Sequence, residues 1–359
     1  MKKVKLAIVG VGNCASALVQ GLRYYRDRPA VAGVMHSSIG GYAISDIQVV
    51  AAFDIDRRKV GRPLEEAVFA PPNCTTVFQR ELDPTGVTVQ MGPVLDGVPA
   101  HMARYPEAES FRISTAQPVD VVDVLKRSGA EVLACYLPVG SDRAVAHYAE
   151  ACLEARVALV NCMPSFIASH VEWAERFRAR GLPAVGDDIK SQVGATIVHR
   201  ALARLMGDRG AHLERTYQLN TGGNTDFLNM LESDRLKSKR ISKTESVQSQ
   251  LDVPLAPGNI HIGPSDYVPW QKDHKVCFLR IEWLGFGGVA NDLELRMAVE
   301  DSPNSAGVAV DAIRIAKLAL DRGFAGPVEG PSAYLMKHPI KQMREDVARA
   351  ETERFIRGG

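Results

Sequence analysis

Residues 5–9 form a short apolar run that breaks at Gly10-Val-Gly12-Asn13-Cys14-Ala15, and helical spacing follows over 15–25, with Leu18, Leu22 and Tyr25 on one side. A strand, a glycine turn and a helix in that order fit few architectures. The first glycine allows the tight turn, the second lets backbone approach a pyrophosphate, and a small third residue lets helix and strand pack closely. The helix N-terminus then offers free N–H groups to phosphates. Gly10, Gly12, Asn13, Cys14 and Ala15 are therefore candidate dinucleotide-binding residues. The same pattern also serves as a small-residue turn in α/β proteins that bind no nucleotide.

In such folds an acidic residue ends the second strand, usually ~20 residues past the turn. Here the second apolar run is 47–53 and ends at Asp54, because residues 26–46, rich in Gly and Ser, intervene as a long loop. A carboxylate at that point accepts from a ribose hydroxyl and repels a 2′-phosphate, which favours NAD over NADP. A solvated turn aspartate is the plainer alternative.

Regular alternation returns further on. Helices are expected over 119–126, 143–155 and 171–180, and strands over 132–137, 158–160 and 184–185, which is the pattern of a parallel sheet. A helix over 192–206 is followed by strands at 215–220, 276–283 and 293–299. No helix separates the last two, so this part reads as antiparallel α+β. A strong helix over 305–321 could return the chain to the first unit. The expected fold class is α/β: a Rossmann-type domain (residues 1–198 and 304–359) interrupted by an α+β domain (residues 199–303). Residues 62–114 show weak periodicity.

Composition narrows the function classes. A formal net charge of +1 gives no global field that would favour nucleic acid or a membrane surface. No apolar run reaches transmembrane length, and the apolar start is cut short by Gly10, so it reads as a strand and not a leader. The six cysteines form no C-x-x-C pair and read as buried thiols of a reducing, cytoplasmic protein.

The segment 226–243 carries the chemistry. Asp226 opens an apolar run, and Lys239 and Lys243 follow at i and i+4, on one face if helical. Like charges there repel, so they are kept together most readily around an anion. Gly186-Asp187-Asp188-Ile-Lys190-Ser191 follows a short strand and is polar for such a turn. Its acids either cap the next helix or place Asp188, with Lys190 and Ser191 nearby, at a cofactor ribose or a metal. Tyr136-Leu-Pro138-Val-Gly140-Ser141 and Asn161-Cys-Met-Pro164-Ser165 end strands, where open α/β sheets bind ligands; ordinary loops use the same residues. Asn220-Thr-Gly-Gly-Asn224-Thr-Asp226 is dense in hydrogen-bonding groups. Asp301-Ser302-Pro-Asn-Ser305 reads as a helix start. Lys275 and Lys337 are single lysines that no local pattern would select.

Together these segments resemble the myo-inositol-1-phosphate synthase (inositol-3-phosphate synthase) family in its shorter bacterial form. The matching runs include Ala7-Ile-Val-Gly-Val-Gly-Asn-Cys-Ala-Ser, Tyr136-Leu-Pro-Val-Gly-Ser, Gly186-Asp-Asp-Ile-Lys-Ser-Gln-Val-Gly-Ala-Thr, Asn224-Thr-Asp-Phe-Leu-Asn-Met-Leu, Ser238-Lys-Arg-Ile-Ser-Lys, Asp301-Ser-Pro-Asn-Ser-Ala-Gly and Tyr334-Leu-Met-Lys337, in family order. The resemblance implies a homotetramer, NAD, and redox-neutral conversion of glucose 6-phosphate to 1L-myo-inositol 1-phosphate. The steps are oxidation at C5, enolisation at C6, intramolecular aldol closure on the C1 aldehyde, and reduction at C5. It carries charge stabilisation, phosphate binding and proton relay to Lys239, Lys243, Lys275 and Lys337. Asp188, Asp226 and Asp301 would orient the lysines, bind the nicotinamide ribose or hold a cation. A divalent or monovalent cation, if used, would take oxygen ligands such as Asp301 and Ser302.

Two other readings stay open: a sugar-phosphate or polyol dehydrogenase with net redox turnover, and a non-catalytic NAD sensor. A lysine pair exceeds what simple hydride transfer needs, which counts against the first.

Overall fold

The computed structural model describes residues 2–28 and 32–358. Strand β1 (Val4–Val9) leads into helix α1 (Asn13–Tyr24). The stretch expected as loop holds a small hairpin, β2 (Ser38–Ile39) with β3 (Tyr42–Ala43), and Ile39 and Tyr42 are buried. Its residues 29–31 lie outside the described residues. Then come β4 (Ile47–Asp54), α2 (Leu64–Ala67), β5 (Gln90–Met91), α3 (Val121–Ser128), β6 (Val132–Cys135), α4 (Asp142–Ala155), β7 (Ala158–Asn161), α5 (Val171–Arg180) and β8 (Pro183–Gly186). With the later β13 (Gly326–Pro327), seven of these strands form one sheet in the order β13-β8-β7-β6-β1-β4-β5. Every pairing in it is parallel.

The sheet is buried on both faces, which is why its strands are near-continuous apolar runs. In β1, Leu6 and Ile8 join the core beneath α1, while Ala7 and Val9 join the opposite core with residues of α3 and α4. Side chains of a strand alternate in this way. Asp120 caps α3 by accepting from the Asp123 N–H (3.0 Å), and Gly129 ends it in the left-handed region.

The second sheet is built from β9 (His212–Gly222), β10 (Ile260–Tyr267), β11 (His274–Leu284) and β12 (Ala290–Glu300), in the order β10-β9-β11-β12. The sequence reading missed β10, which pairs parallel with β9, so the sheet is mixed and not purely antiparallel. Helices α6 (Ala195–Asp208) and α8 (Lys237–Gln248) contribute Ala203 and Val247 to its core with Leu279 and Ile281. Short α7 (Thr225–Asn229) precedes α8. The expected helix over 192–206 starts later, at Ala195. Residues 190–193 are drawn into hydrogen bonds with Leu335 and Asn304 instead of helical ones. Helix α9 (Asp301–Asp321) returns to the first sheet and packs on α1 and β7, followed by α10 (Glu329–Leu335) and α11 (Glu345–Arg357). Among the described residues no helix is long and apolar enough to cross a membrane.

Candidate active site

Strand β1 lies between β6 and β4, so the connections leave it in opposite directions along the sheet. Ligands in open α/β sheets sit at the carboxyl ends of strands around such a point. The turn there has one glycine the fold requires and one it does not. Gly10 has φ +87°, and a Cβ on it would stand 2.5 Å from the Tyr136 carbonyl oxygen. A Cβ on Gly12 would meet no atom within 4 Å, so open space lies over the start of α1, which no side chain caps. Ala15 is fully buried and packs between helix and sheet, outside the cavity. Asn13 lines the cavity, and its Oδ1 accepts from the Cys74 and Thr75 N–H groups (2.7 and 3.1 Å).

Asp54 lies on the other side of the turn. Its Oδ2 accepts from the Val11 N–H (2.8 Å), and its Oδ1 from the Ile55 and Asp56 N–H groups (2.7 and 2.8 Å). It anchors the turn while bordering a second cavity with Gly10, Gly12, Val94, Phe111, Tyr136 and Pro138. Tyr136, Pro138 and Phe111 also line the main cavity, so the two spaces adjoin. Phe111 comes from the stretch of weak periodicity, and no sequence signal marks it.

The main cavity brings Lys239, Lys243, Lys275 and Lys337 together with Asp188, Asp226, Asp301, Ser191, Ser302 and Cys14. Three lysines have a carboxylate partner. Lys239 Nζ donates to Asp226 Oδ2 (2.8 Å), Lys275 Nζ to Asp301 Oδ1 (3.1 Å) and Lys337 Nζ to Asp188 Oδ1 (2.8 Å). Ser242 Oγ donates to the other Asp188 oxygen (2.6 Å). Lys243 is 4% exposed, and its side-chain amine has no ion pair or hydrogen bond among the described residues.

These partners set the charges. Burial raises Asp188, but Lys337 and Lys239 outweigh it and hold its carboxyl below the usual range. Asp301 is likewise raised by burial and brought lower still by Lys275. Burial lowers Lys239, yet Asp226 and Asp188 more than restore it and raise its pKa. For Lys243, burial and then the charges of Lys275, Lys239 and Lys337 all act in one direction. Its pKa falls well below the ordinary lysine value, and the amine is driven toward its neutral form. Cys14 is pushed up to about 12 by burial and Asp273, so it remains a thiol.

The two adjacent acids after β8 divide their work, and neither caps α6. Asp187 is buried and accepts from Asn161 Nδ2, the Ile167, Ala168 and Ser169 N–H groups, and Ser169 Oγ, which fixes the loop after β7. Asp188, at φ +62°, turns into the cavity. Gly140 and Ser141 serve packing: a Cβ on Gly140 would lie 2.7 Å from Arg235 Cβ, and Arg235 Nη2 donates to Ser141 Oγ (3.0 Å). Gln218 also lines the cavity. Its signal was present but unread: Thr216, Gln218 and Asn220 put polar groups at every second position of β9, on its buried side.

The residues fit a dinucleotide: an unblocked glycine at an uncapped helix start, with a carboxylate and aromatic rings in the adjoining space. The two groups expected to hold a cation have protein partners of their own. The Asp301 carboxylate is engaged by Lys275, and Ser302 Oγ by Asp273. No group of three or more His, Cys, Asp or Glu residues converges for a metal among the described residues.

The family model for myo-inositol-1-phosphate synthase matches residues 194–302. An inositol-3-phosphate synthase of Mycolicibacterium smegmatis is 53% identical over 99% of this chain and 98% of its own length. One of Corynebacterium glutamicum is 50% identical over 98% of each. The crystal structure of the Caenorhabditis elegans inositol-3-phosphate synthase shares the fold, with TM-score 0.76 at 15% identity, over 99% of this chain and 85% of that one.

Proposed function

The chain belongs to the inositol-3-phosphate synthase family, in its bacterial form, and on that premise we propose that it converts D-glucose 6-phosphate to 1L-myo-inositol 1-phosphate with NAD used and regenerated in each turnover. Inositol phosphate synthesis from glucose 6-phosphate is the family's activity; the cofactor and the division of labour below are the proposal. The observation that carries it is the convergence of four lysines beside the glycine turn, with one of them unpaired.

Gly12 and the start of α1 would hold NAD, with Asp54, Tyr136 and Pro138 beside it, and bound there it would supply reversible oxidation at C5 of the sugar. The rest falls to side chains. Lys243, as a neutral amine, takes the C5 hydroxyl proton and later gives it back. Lys239, Lys275 and Lys337 are each oriented by a carboxylate. They bind the phosphate, which takes the C6 proton as the C5–C6 enolate forms and returns it to the alkoxide produced when C6 closes on C1, and they lower the energy of both anions. Preorganised charge of this kind is worth about 2.7–4 kcal/mol per group. Asp188 and Asp226 would border the nicotinamide ribose, with Ser191 in the same cavity. The same reading includes a cytoplasmic homotetramer; the exposed Trp270, Phe278 and Phe286 on the second sheet and its connections would be covered by a second copy.

Purified protein, glucose 6-phosphate and NAD below the substrate concentration are mixed, and the product is identified by 31P and 1H NMR. A cyclitol phosphate formed in excess over NAD supports the proposal. NADH accumulating in step with an oxidised sugar phosphate would instead favour the dehydrogenase reading.

A further inference from the structure

Asp273 is 1% exposed, and its hydrogen bonds reach the starts of two helices that build the site, α7 and α9. Its Oδ1 accepts from Asn224 Nδ2 (2.9 Å) and Ser302 Oγ (2.9 Å), its Oδ2 from the Ser302 N–H (3.1 Å), and its carbonyl from the Asp301 N–H (3.1 Å). Asn224 in turn caps α7, accepting at Oδ1 from the Asp226 and Phe227 N–H groups (3.0 and 3.2 Å). One carboxylate thus fixes the first turn of α7, which presents Asp226 to Lys239, and the first turn of α9, which presents Asp301 to Lys275. Lys275 itself lies two residues along β11. The pair Lys337–Asp188 is held by other contacts.

We infer that Asp273 is a positioning residue for the cyclisation: it sets the two carboxylates that aim Lys239 and Lys275. This rests on the function proposed above. Asp273→Asn keeps the shape but turns an amide N–H toward the Ser302 N–H, donor against donor.

Two measurements separate this inference from the function it rests on. The first is competitive acetylation, read peptide by peptide by mass spectrometry, which needs no activity. Asp273→Asn is expected to change Lys239 and Lys275 reactivity by about threefold or more, with Lys337 unchanged as the internal control. The second is a double-mutant cycle on kcat. Asp273→Asn alone is expected to lower kcat by about tenfold or more, and by clearly less in a Lys275→Ala background, because the Lys275 arm of its effect is then already gone while the Lys239 arm remains. Unchanged labelling, or full additivity, overturns the inference. Labelling that shifts in a protein making no cyclitol phosphate sinks the proposed function and leaves the inference standing. If Lys337 also becomes reactive, the fold is lost and Ser302→Ala decides. A change at Lys275 alone supports the inference, and no change overturns it.

Discussion

Lys337 and Asp188 are joined twice across the fold: Lys337 Nζ donates to Asp188 Oδ1 at 2.8 Å, and the Lys337 N–H donates to the Asp188 carbonyl at 2.7 Å. The backbone bond survives loss of the side-chain charge, so Asp188→Asn tests the electrostatics with the geometry retained. It is expected to lower kcat by about 10²–10³, the scale for removing one preorganised charge contact. Steady-state kinetics with circular dichroism as a folding control measures it.

Lys243→Arg places a permanent cation where the proposed proton acceptor stands. Activity should fall by about 10² or more at every pH, since that acceptor is gone. In the wild type the sign is fixed by the neutral form being the working one. As pH falls through the depressed Lys243 value the amine takes a proton and kcat drops, and raising the pH restores it. A kcat profile that rises toward acid would contradict this assignment.

The glycine turn separates folding from binding. Gly10→Ala forces a Cβ onto the Tyr136 carbonyl at φ +87° and should cost about 1–3 kcal/mol in urea unfolding. Gly12→Ala meets no protein atom, so stability should move by less than about 0.5 kcal/mol. Its NAD affinity, by fluorescence titration, should fall about tenfold, because the added methyl occupies the approach of the pyrophosphate.

Lys190 is 1% exposed, donates to the Ala333 carbonyl (2.8 Å) and pairs with Glu345 (3.2 Å), which also holds Arg200. Burial, and then Arg200, bring its pKa down to about 7. Between there and the unfolded lysine value the unfolded chain carries a proton the folded chain has released, so stability rises with pH. Relative to Lys190→Met, the wild type should gain up to about 1.4 kcal/mol per pH unit from pH 7 to 9 in urea titrations.

Local features were readable in the sequence, and distant ones were not. The glycine turn, the acid closing the second strand and the i, i+4 lysines are each set by a few neighbouring residues. Lys275 and Lys337 have no such pattern; only family resemblance selected them, because their convergence depends on the β11–β12 ladder and on the bond from Lys337 back to Asp188. The start of α6 was misplaced because tertiary bonds to Leu335 and Asn304 outcompete helical ones at 190–193. β10 escaped notice because Gly263 and Pro264 interrupt its apolar pattern.

The four lysine side chains enter the cavity from positions 239, 243, 275 and 337, whereas the glycine turn occupies 10–15. During synthesis the glycine turn leaves the ribosome before any of the four, and Lys337 follows the other three. A premature stop shortly before position 337 would yield a polypeptide that owns its glycine turn and three of the lysines but lacks the fourth, along with the anchor for Asp188.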